Sequence, residues 1–362
     1  MKELTTIERR IIATAADIKQ EGSASIEYQH GILCQVGLPR KKTEDRVFVR
    51  TFKNASILIR AGELWDGKKW VEQPLPYGPK PRLAMIYINS EAIRTQNPQI
   101  EIGHSCAEFL RRVGLADQDG RTYSLYKQQM MALAATELSM GFTAQNEAVT
   151  INSRPIREFR AWISNDRQKS LWPGELTLSS DYYDSLLAHA VPLDPRAIGA
   201  LSHTSLGLDW YSFLARRLHE LARTLRIPFA SLQKQFGQEY KGKNAADDFQ
   251  RELLKINKQV LAVYPQARVE RATGGLVFHP SHPPIRPALK CRKIAKKPPT
   301  VLLQAGSLAE QTLEQFRRLC PRLDPYACQG DFDAWLLNGK DHPKNYHKAF
   351  LGFAKKWAKG KN

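Results

Sequence analysis

Four residues of this sequence have the chemistry of a metal site: Cys320, Cys328, His342 and His347. Two thiols and two imidazoles are the ligand set of a tetrahedral zinc site. However, seven residues separate the cysteines, where two to four are usual, and Cys320 closes an amphipathic helix, where a thiol serves as a small core residue. We therefore expect no metal and no cofactor. His279-Pro-Ser-His282 has the wrong spacing for the His-x-His metal pair of a strand-nicking enzyme. No Gly-x-x-x-x-Gly-Lys-Ser/Thr loop is present to hold nucleotide phosphates, because Gly339-Lys340 and Gly360-Lys361 lack the first glycine and the hydroxyl. There is no Gly-x-Ser-x-Gly elbow either. The expectation is a protein that is not an enzyme.

A binding pattern stands in place of a catalytic one. Between Asn244 and Val263, Phe249, Leu253, Ile256 and Val260 share one helical face, and Arg251, Lys255 and Lys258 share the opposite face. The apolar stripe would fix the helix to its domain. The basic stripe would face the phosphates and guanine acceptors of a major groove. Asn257 and Gln259 flank it with amides suited to adenine, and Lys241 and Lys243 precede it, where phosphate contacts would set its register. A solvated charged face is the plain alternative.

An earlier helix, about Thr122 to Met140, carries a small polar stripe. Arg121, Ser124, Gln128, Ala135 and Ser139 permit close approach to DNA or to another protein helix, while Tyr126, Met130 and Leu133 look buried. The segment after it carries Arg154, Arg157 and Arg160, and a later hairpin carries Arg268 and Arg271. Arginines on such wings suit a minor groove or its phosphates, and equally suit surface ion pairs.

The bulk properties agree. Lys and Arg number 54 against 36 Asp and Glu, a net charge of +18, which favours a polyanionic partner. A chain of 362 residues has room for two or three domains. No apolar run is long enough for a membrane helix. The first ten residues lack the apolar core of a signal peptide. Five cysteines without a Cys-x-x-Cys pair fit a reducing cytoplasm.

These residues need elements to hold them. Thr5-x-x-Glu8 predicts a capping box opening a short amphipathic helix that ends near Gly22. Arg46 to Ala61 predicts a hairpin with its turn at Lys53-Asn54. A helix from Pro81 to about Thr95 follows, then a strand at Gln99 to Ile102 and a helix at Ser105 to Val113. The longer helix at 122–140 comes next, then strands at Glu147 to Asn152 and Ile156 to Ile163. That is the element order of a winged helix. The order repeats through Leu208 to Leu225, Ile227-Pro-Phe229, Ser231 to Phe236, Asn244 to Val263 and a hairpin around Gly274-Gly275, with Glu175 to Ala190 as a bridge. The fold class expected is α+β, mostly helical, with two tandem winged helices and a small helical C-terminal module. The expected divisions are 1–42 (N-terminal helical segment), 43–165 (first winged helix with its hairpin), 166–283 (second winged helix), 284–299 (proline-rich basic linker) and 300–362 (C-terminal module). In that last module Phe350, Phe353 and Trp357 form an aromatic stripe among seven lysines after Gly339. Such a stripe is usually core, and otherwise suits stacking on single-stranded bases or docking a partner.

One stretch carries a resemblance. Pro79-Lys-Pro-Arg82 through Tyr87, Ser90-Glu-Ala-Ile-Arg94, Gln99-Ile-Glu-Ile-Gly103 and Cys106-Ala-Glu-Phe-Leu-Arg-Arg-Val-Gly114 resemble the RepA-type plasmid replication initiators, from about Leu75 to Pro283. The resemblance implies a cytoplasmic bacterial protein that binds repeated sites (iterons) in duplex plasmid origin DNA. It further implies origin opening and recruitment of the host replicative helicase and host initiator. Copy control by repression of its own promoter as a homodimer is also implied, while the C-terminal module is a candidate for single-stranded DNA. The alternative is a winged-helix transcriptional regulator or plasmid-partition protein without initiator activity.

Overall fold

The computed structural model describes residues 4–20, 25–52, 55–103, 108–110, 120–144, 147–161, 173–285, 310–320, 325, 328–329, 331–332, 335 and 346–359. The chain forms two compact units, Met1–Ala288 and Leu289–Asn362. The fold is α+β with small antiparallel sheets.

In chain order the first unit contains α1 (Thr6–Gln20), β1 (Glu27–His30), β2 (Val47–Phe52), β3 (Ala55–Arg60), β4 (Glu63–Trp65), β5 (Trp70–Glu72), α2 (Pro79–Thr95) and β6 (Gln99–Glu101). It continues with α3 (Gly120–Ala134), β7 (Glu137–Ala144), β8 (Glu147–Ser153), β9 (Ile156–Ala161), β10 (Pro173–Leu178), α4 (Ser180–His189), β11 (Ala190–Leu193) and α5 (Pro195–Leu201). It closes with α6 (Ser205–Arg217), β12 (Leu225–Pro228), α7 (Phe229–Phe236), α8 (Ala245–Val263), β13 (Val269–Ala272) and β14 (Gly275–Phe278).

Among the described residues the first unit has two hydrophobic cores, each the centre of a lobe. Ile57, Ile59, Ile88, Tyr126, Met140 and Tyr182 lie in the first. Trp210, Phe213, Phe236, Phe249, Leu253 and Phe278 lie in the second. Helix α2 is the wall between them. Its Met85 and Ile88 enter the first core, and its Leu83 and Ile86 enter the second. That double duty explains why α2 lacks a polar face over most of its length. Prolines at its start need no N–H partner there, which seats the helix at Pro79 and Pro81.

A charged staple crosses this wall. Arg82 on α2 grips Asp209 on α6 through Nε at 2.7 Å and Nη2 at 2.8 Å. It also donates to the carbonyls of Leu38, Pro39 and Gly78. Both side chains are buried, so the pairing satisfies charges that would otherwise be stranded. Gly37 makes room for it, since a Cβ there would sit 2.6 Å from Asp209 Oδ2.

Helix α1 opens on the expected capping box. Glu8 accepts from the Thr5 N–H at 2.8 Å, and Thr5 Oγ1 accepts from the Glu8 N–H at 3.3 Å. Ile11 is buried in the second core, so α1 packs on the body against α5 and α8.

Three sequence expectations change in the first lobe. The helix expected to reach Met140 stops at Ala134, and Thr136 turns back to donate to Ala132 O at 2.7 Å. Ser139 is therefore on strand β7, and the polar helical stripe expected there ends early. Strand β8 pairs with β7, not with β9, in a four-stranded sheet ordered β2-β3-β7-β8. Strand β9 pairs instead with β10, which the sequence suggested was part of a bridge; the second sheet is ordered β6-β10-β9. The helix expected at Ser105 to Val113 falls largely outside the described residues.

The second lobe runs α6, β12, α7, α8, β13, β14, with its sheet ordered β12-β14-β13. The tight turn at Gly274 has φ +72°, a conformation glycine tolerates. Gly275 next to it lies so close to β12 that a Cβ would meet Ile227 O at 2.4 Å.

The second unit contains α9 (Glu310–Leu319) and α10 (Tyr346–Lys359). Phe316, Cys320, Cys328, Phe332 and Phe350 form its core. Phe350 is therefore a core residue and not a stacking platform. Phe353 and Trp357 are half-buried beside it, and Trp357 Nε1 donates to Asp331 at 2.8 Å.

Candidate nucleic-acid interface

Helix α8 has the two faces its sequence predicts. Phe249, Leu253 and Val260 are fully buried, while Arg251, Lys255 and Lys258 are exposed. Burying four large apolar side chains at roughly 1.5–3 kcal/mol each anchors the helix firmly. The basic face plays no part in that anchoring. Asp247 and Asp248 occupy the first turn, where they favour the helix dipole. Asp248 pairs with Arg251, so the uncompensated positive charge on this face sits at Lys255 and Lys258.

One of the two flanking amides is used elsewhere. Asn257 is buried and accepts a hydrogen bond from Trp210 Nε1 at 2.9 Å, which corrects the expectation that it reads adenine. A buried indole N–H needs an acceptor, and Asn257 supplies it. Gln259 is only half-exposed, with its Oε1 buried.

Ahead of α8, residues 237–244 form a turn in which Lys241 and Lys243 are exposed. Gly242 between them has φ +95°. The turn is anchored on its inner side by Tyr240, which packs edge-on against Phe249 and donates to Glu252. On the hairpin, Arg268 and Arg271 are exposed. Arg268 donates to the carbonyl of Pro280 at 3.2 Å. Arg226 on β12, donating to Thr273 O, and Lys234 on α7 are exposed cations of the same lobe that sequence reasoning passed over. Each is a single charge in a short element, without the repeat that made α8 legible.

The first-lobe candidates do not share one wing. Arg154 leaves β8 and pairs with Glu137, beside an open groove on the sheet face lined by Ser56, Ser139, Gly141, Thr150 and Asn152. Arg157 is exposed on β9, in the other sheet. Ser124 and Gln128 are exposed on α3. The side chains of Arg121 and Arg160 lie outside the described residues. Among the described residues no group of His, Cys, Asp and Glu is arranged to hold a metal ion, and His342 falls outside them. No helix among them is long and apolar enough to cross a membrane.

Comparison with known proteins bears on the scaffold that presents these cations. Residues 75–229 match the family model for plasmid-encoded RepA protein. The match spans 155 of the 362 residues. It begins just before α2 and ends at the start of α7, so it spans the wall between the lobes and the Arg82–Asp209 staple. No curated protein matches the chain. Two crystal structures of domains 2 and 3 of RctB resemble it at 10% identity. One has a TM-score of 0.43 and covers 68% of this chain and 94% of its own. The selenomethionine form has a TM-score of 0.44, covering 69% and 96%. The RepA family match supports a role in plasmid replication initiation.

Proposed function

We propose that the protein is a plasmid replication initiator that binds duplex origin DNA through α8, the turn ahead of it and the β13–β14 hairpin. The observation that carries this reading is the division of α8 into a buried apolar face and an exposed basic one, on a chain with a RepA-family segment and a net charge of +18. The order α6-β12-α7-α8-β13-β14 supports a winged helix in the second lobe, with α8 as its recognition helix. The first lobe, with α2, β6, α3, β9 and β10, is proposed as a second winged helix into which β7 and β8 are inserted. Binding of origin repeats, duplex opening and recruitment of the host helicase and host initiator are part of this proposal, and the RepA match supports them.

No residue needs to be catalytic in this scheme. The work is binding free energy, spread over phosphate contacts and a few base contacts. The test is the triple substitution Arg251→Ala, Lys255→Ala, Lys258→Ala. The thermal midpoint should hold, because the three side chains are exposed and alanine favours helix. Binding to DNA flanking the gene should weaken, with the log–log salt slope falling by about 1.8 units, from Lys255 and Lys258 at about 0.9 per phosphate contact, because Arg251 is already paired with Asp248. Unchanged binding and slope in the triple variant would refute α8 as the reading helix.

A further inference from the structure

The turn that carries Lys241 and Lys243 belongs to the second lobe, yet the first lobe holds it. Arg40 donates through Nη1 to Phe236 O at 2.7 Å and through Nη2 to Tyr240 Oη at 3.0 Å. Its guanidinium lies over the Tyr240 ring, 5.0 Å from the centroid. The Arg40 backbone N–H approaches Glu239 Oε1 at 3.4 Å. Arg50, on β2 and fully buried, pairs with that same carboxylate and donates through Nη1 to Gly37 O at 3.1 Å. Gln235, at the end of α7, donates to Gln35 O at 2.8 Å. Three consecutive parts of the second lobe are thus fixed by the chain between Gln35 and Arg50: the end of α7, Glu239 and Tyr240.

The clamp is stiff. The segment carrying Arg40 is held by Arg82 through the Leu38 and Pro39 carbonyls, and Arg82 is held by Asp209. Burial raises the Glu239 carboxyl pKa, but Arg50 and then Arg40 outweigh it and leave it below the ordinary value, so Glu239 is ionised at neutral pH. Lys241 follows Tyr240 directly, and Gly242 beside it has open space around its Cα. A lysine joined to a flexible glycine is aimed only if the residue before it is fixed.

We propose that Arg40 and Arg50 are positioning residues for DNA binding: the first lobe sets the turn through Glu239 and Tyr240, and so aims Lys241 and Lys243 at phosphates. This rests on the DNA-binding reading of α8 and its turn, and it goes further by making the affinity of one lobe depend on the other.

The test is a cycle of full-length variants binding a 30-base-pair duplex of random sequence, which isolates the phosphate contribution. Lys241→Ala/Lys243→Ala should lower the salt slope by about 1.8 units, two contacts at about 0.9 each, and weaken binding roughly tenfold at low salt. Arg40→Ala should reproduce most of that loss, and the combined variant should lose little more. Arg40→Lys keeps the charge without the two-pronged grip; it should behave like Arg40→Ala and serves if that variant folds poorly. Hydrogen exchange of amides 238–244 should rise in both Arg40 variants while the α8 core amides stay protected. Wild-type salt slope in the Arg40 variants, or losses that simply add to those of the lysine variants, would overturn the proposal. Loss of binding in the α8 triple variant alongside wild-type behaviour of the Arg40 variants would refute the clamp and leave the α8 reading standing. Wild-type behaviour of the triple variant and of Lys241→Ala/Lys243→Ala would refute the interface itself.

Discussion

Replacing Arg82 with alanine tests whether the wall between the lobes is held by charge. Arg82 and Asp209 are 4% and 6% exposed, and two hydrogen bonds join them side by side. Removing the arginine strands the Asp209 carboxylate in the interior and takes a donor from three carbonyls. Breaking one partner of a buried pair costs about 3–5 kcal/mol. Domains are commonly stable by only about 5–15 kcal/mol, so the loss consumes a large share. Asp209→Leu should cost a similar amount by stranding the guanidinium. In Arg82→Met/Asp209→Leu neither charge is left behind, so the double variant should lose about 2–3 kcal/mol less than the sum of the singles. The carbonyls of Leu38, Pro39 and Gly78 still lose their donor, so full recovery is not expected. Urea unfolding followed by tryptophan fluorescence suits the measurement, because Trp210 is fully buried in the second core next to α8. A single-variant cost below about 1 kcal/mol, or strict additivity, would show that Arg82 is not a staple.

Three further outcomes follow. His30 is buried, its Nδ1 accepts the Ile32 N–H at 3.2 Å, and burial first and His189 second push its pKa down to about 3. An unfolded histidine binds its proton near 6.5, so the unfolded state holds more protons between those values; stability should fall by about 1.4 kcal/mol per pH unit as pH drops from about 6.5 towards 3. An NMR titration of the His30 ring with a midpoint near 6.5 would contradict this. A chain ending at Ala288 retains the whole first unit and should still footprint the origin; a lost footprint would move the DNA-binding unit into the C-terminal residues. Purified protein with ATP, or with supercoiled origin plasmid and magnesium, should release neither phosphate nor nicked circles, and nicking abolished by changing one tyrosine would contradict the non-enzymatic reading.

What the sequence made legible depended on range. Helix α8 was readable because one period of 3.6 sorts Phe249, Leu253, Ile256 and Val260 from Arg251, Lys255 and Lys258 within nineteen residues. The α1 cap and the β2–β3 hairpin were readable for the same reason: their partners are near in sequence. Strand β7 was missed because no glycine or proline separates it from α3; the helix is ended by Thr136, and Leu138 and Met140 continue an apolar pattern that fits either period. The Arg50–Glu239 contact spans 189 positions and leaves no local trace. Asn257 was misread although it lies four residues after Leu253 and three before Val260, at the edge of the apolar face, where Trp210 on another helix supplies its hydrogen-bond donor.

The same limit bears on how far the RepA resemblance reaches. The residues that carry it most clearly do structural work. Arg82 is the buried partner of Asp209, Ser90 Oγ accepts the Tyr28 N–H at 2.7 Å, and Arg94 pairs with Glu27 and Glu91. A charged residue at a helix start looks the same in sequence whether it meets a phosphate or a buried carboxylate. The matched segment ends at residue 229, whereas α8 begins at Ala245. The matched part therefore builds the joint between the lobes, and the helix proposed to read DNA lies beyond it. The match covers α2 and α6, and the contacts proposed for Lys255 and Lys258 belong to α8, outside it. Those contacts have to be established on this chain, by substitutions in α8 and in the turn that the first lobe holds.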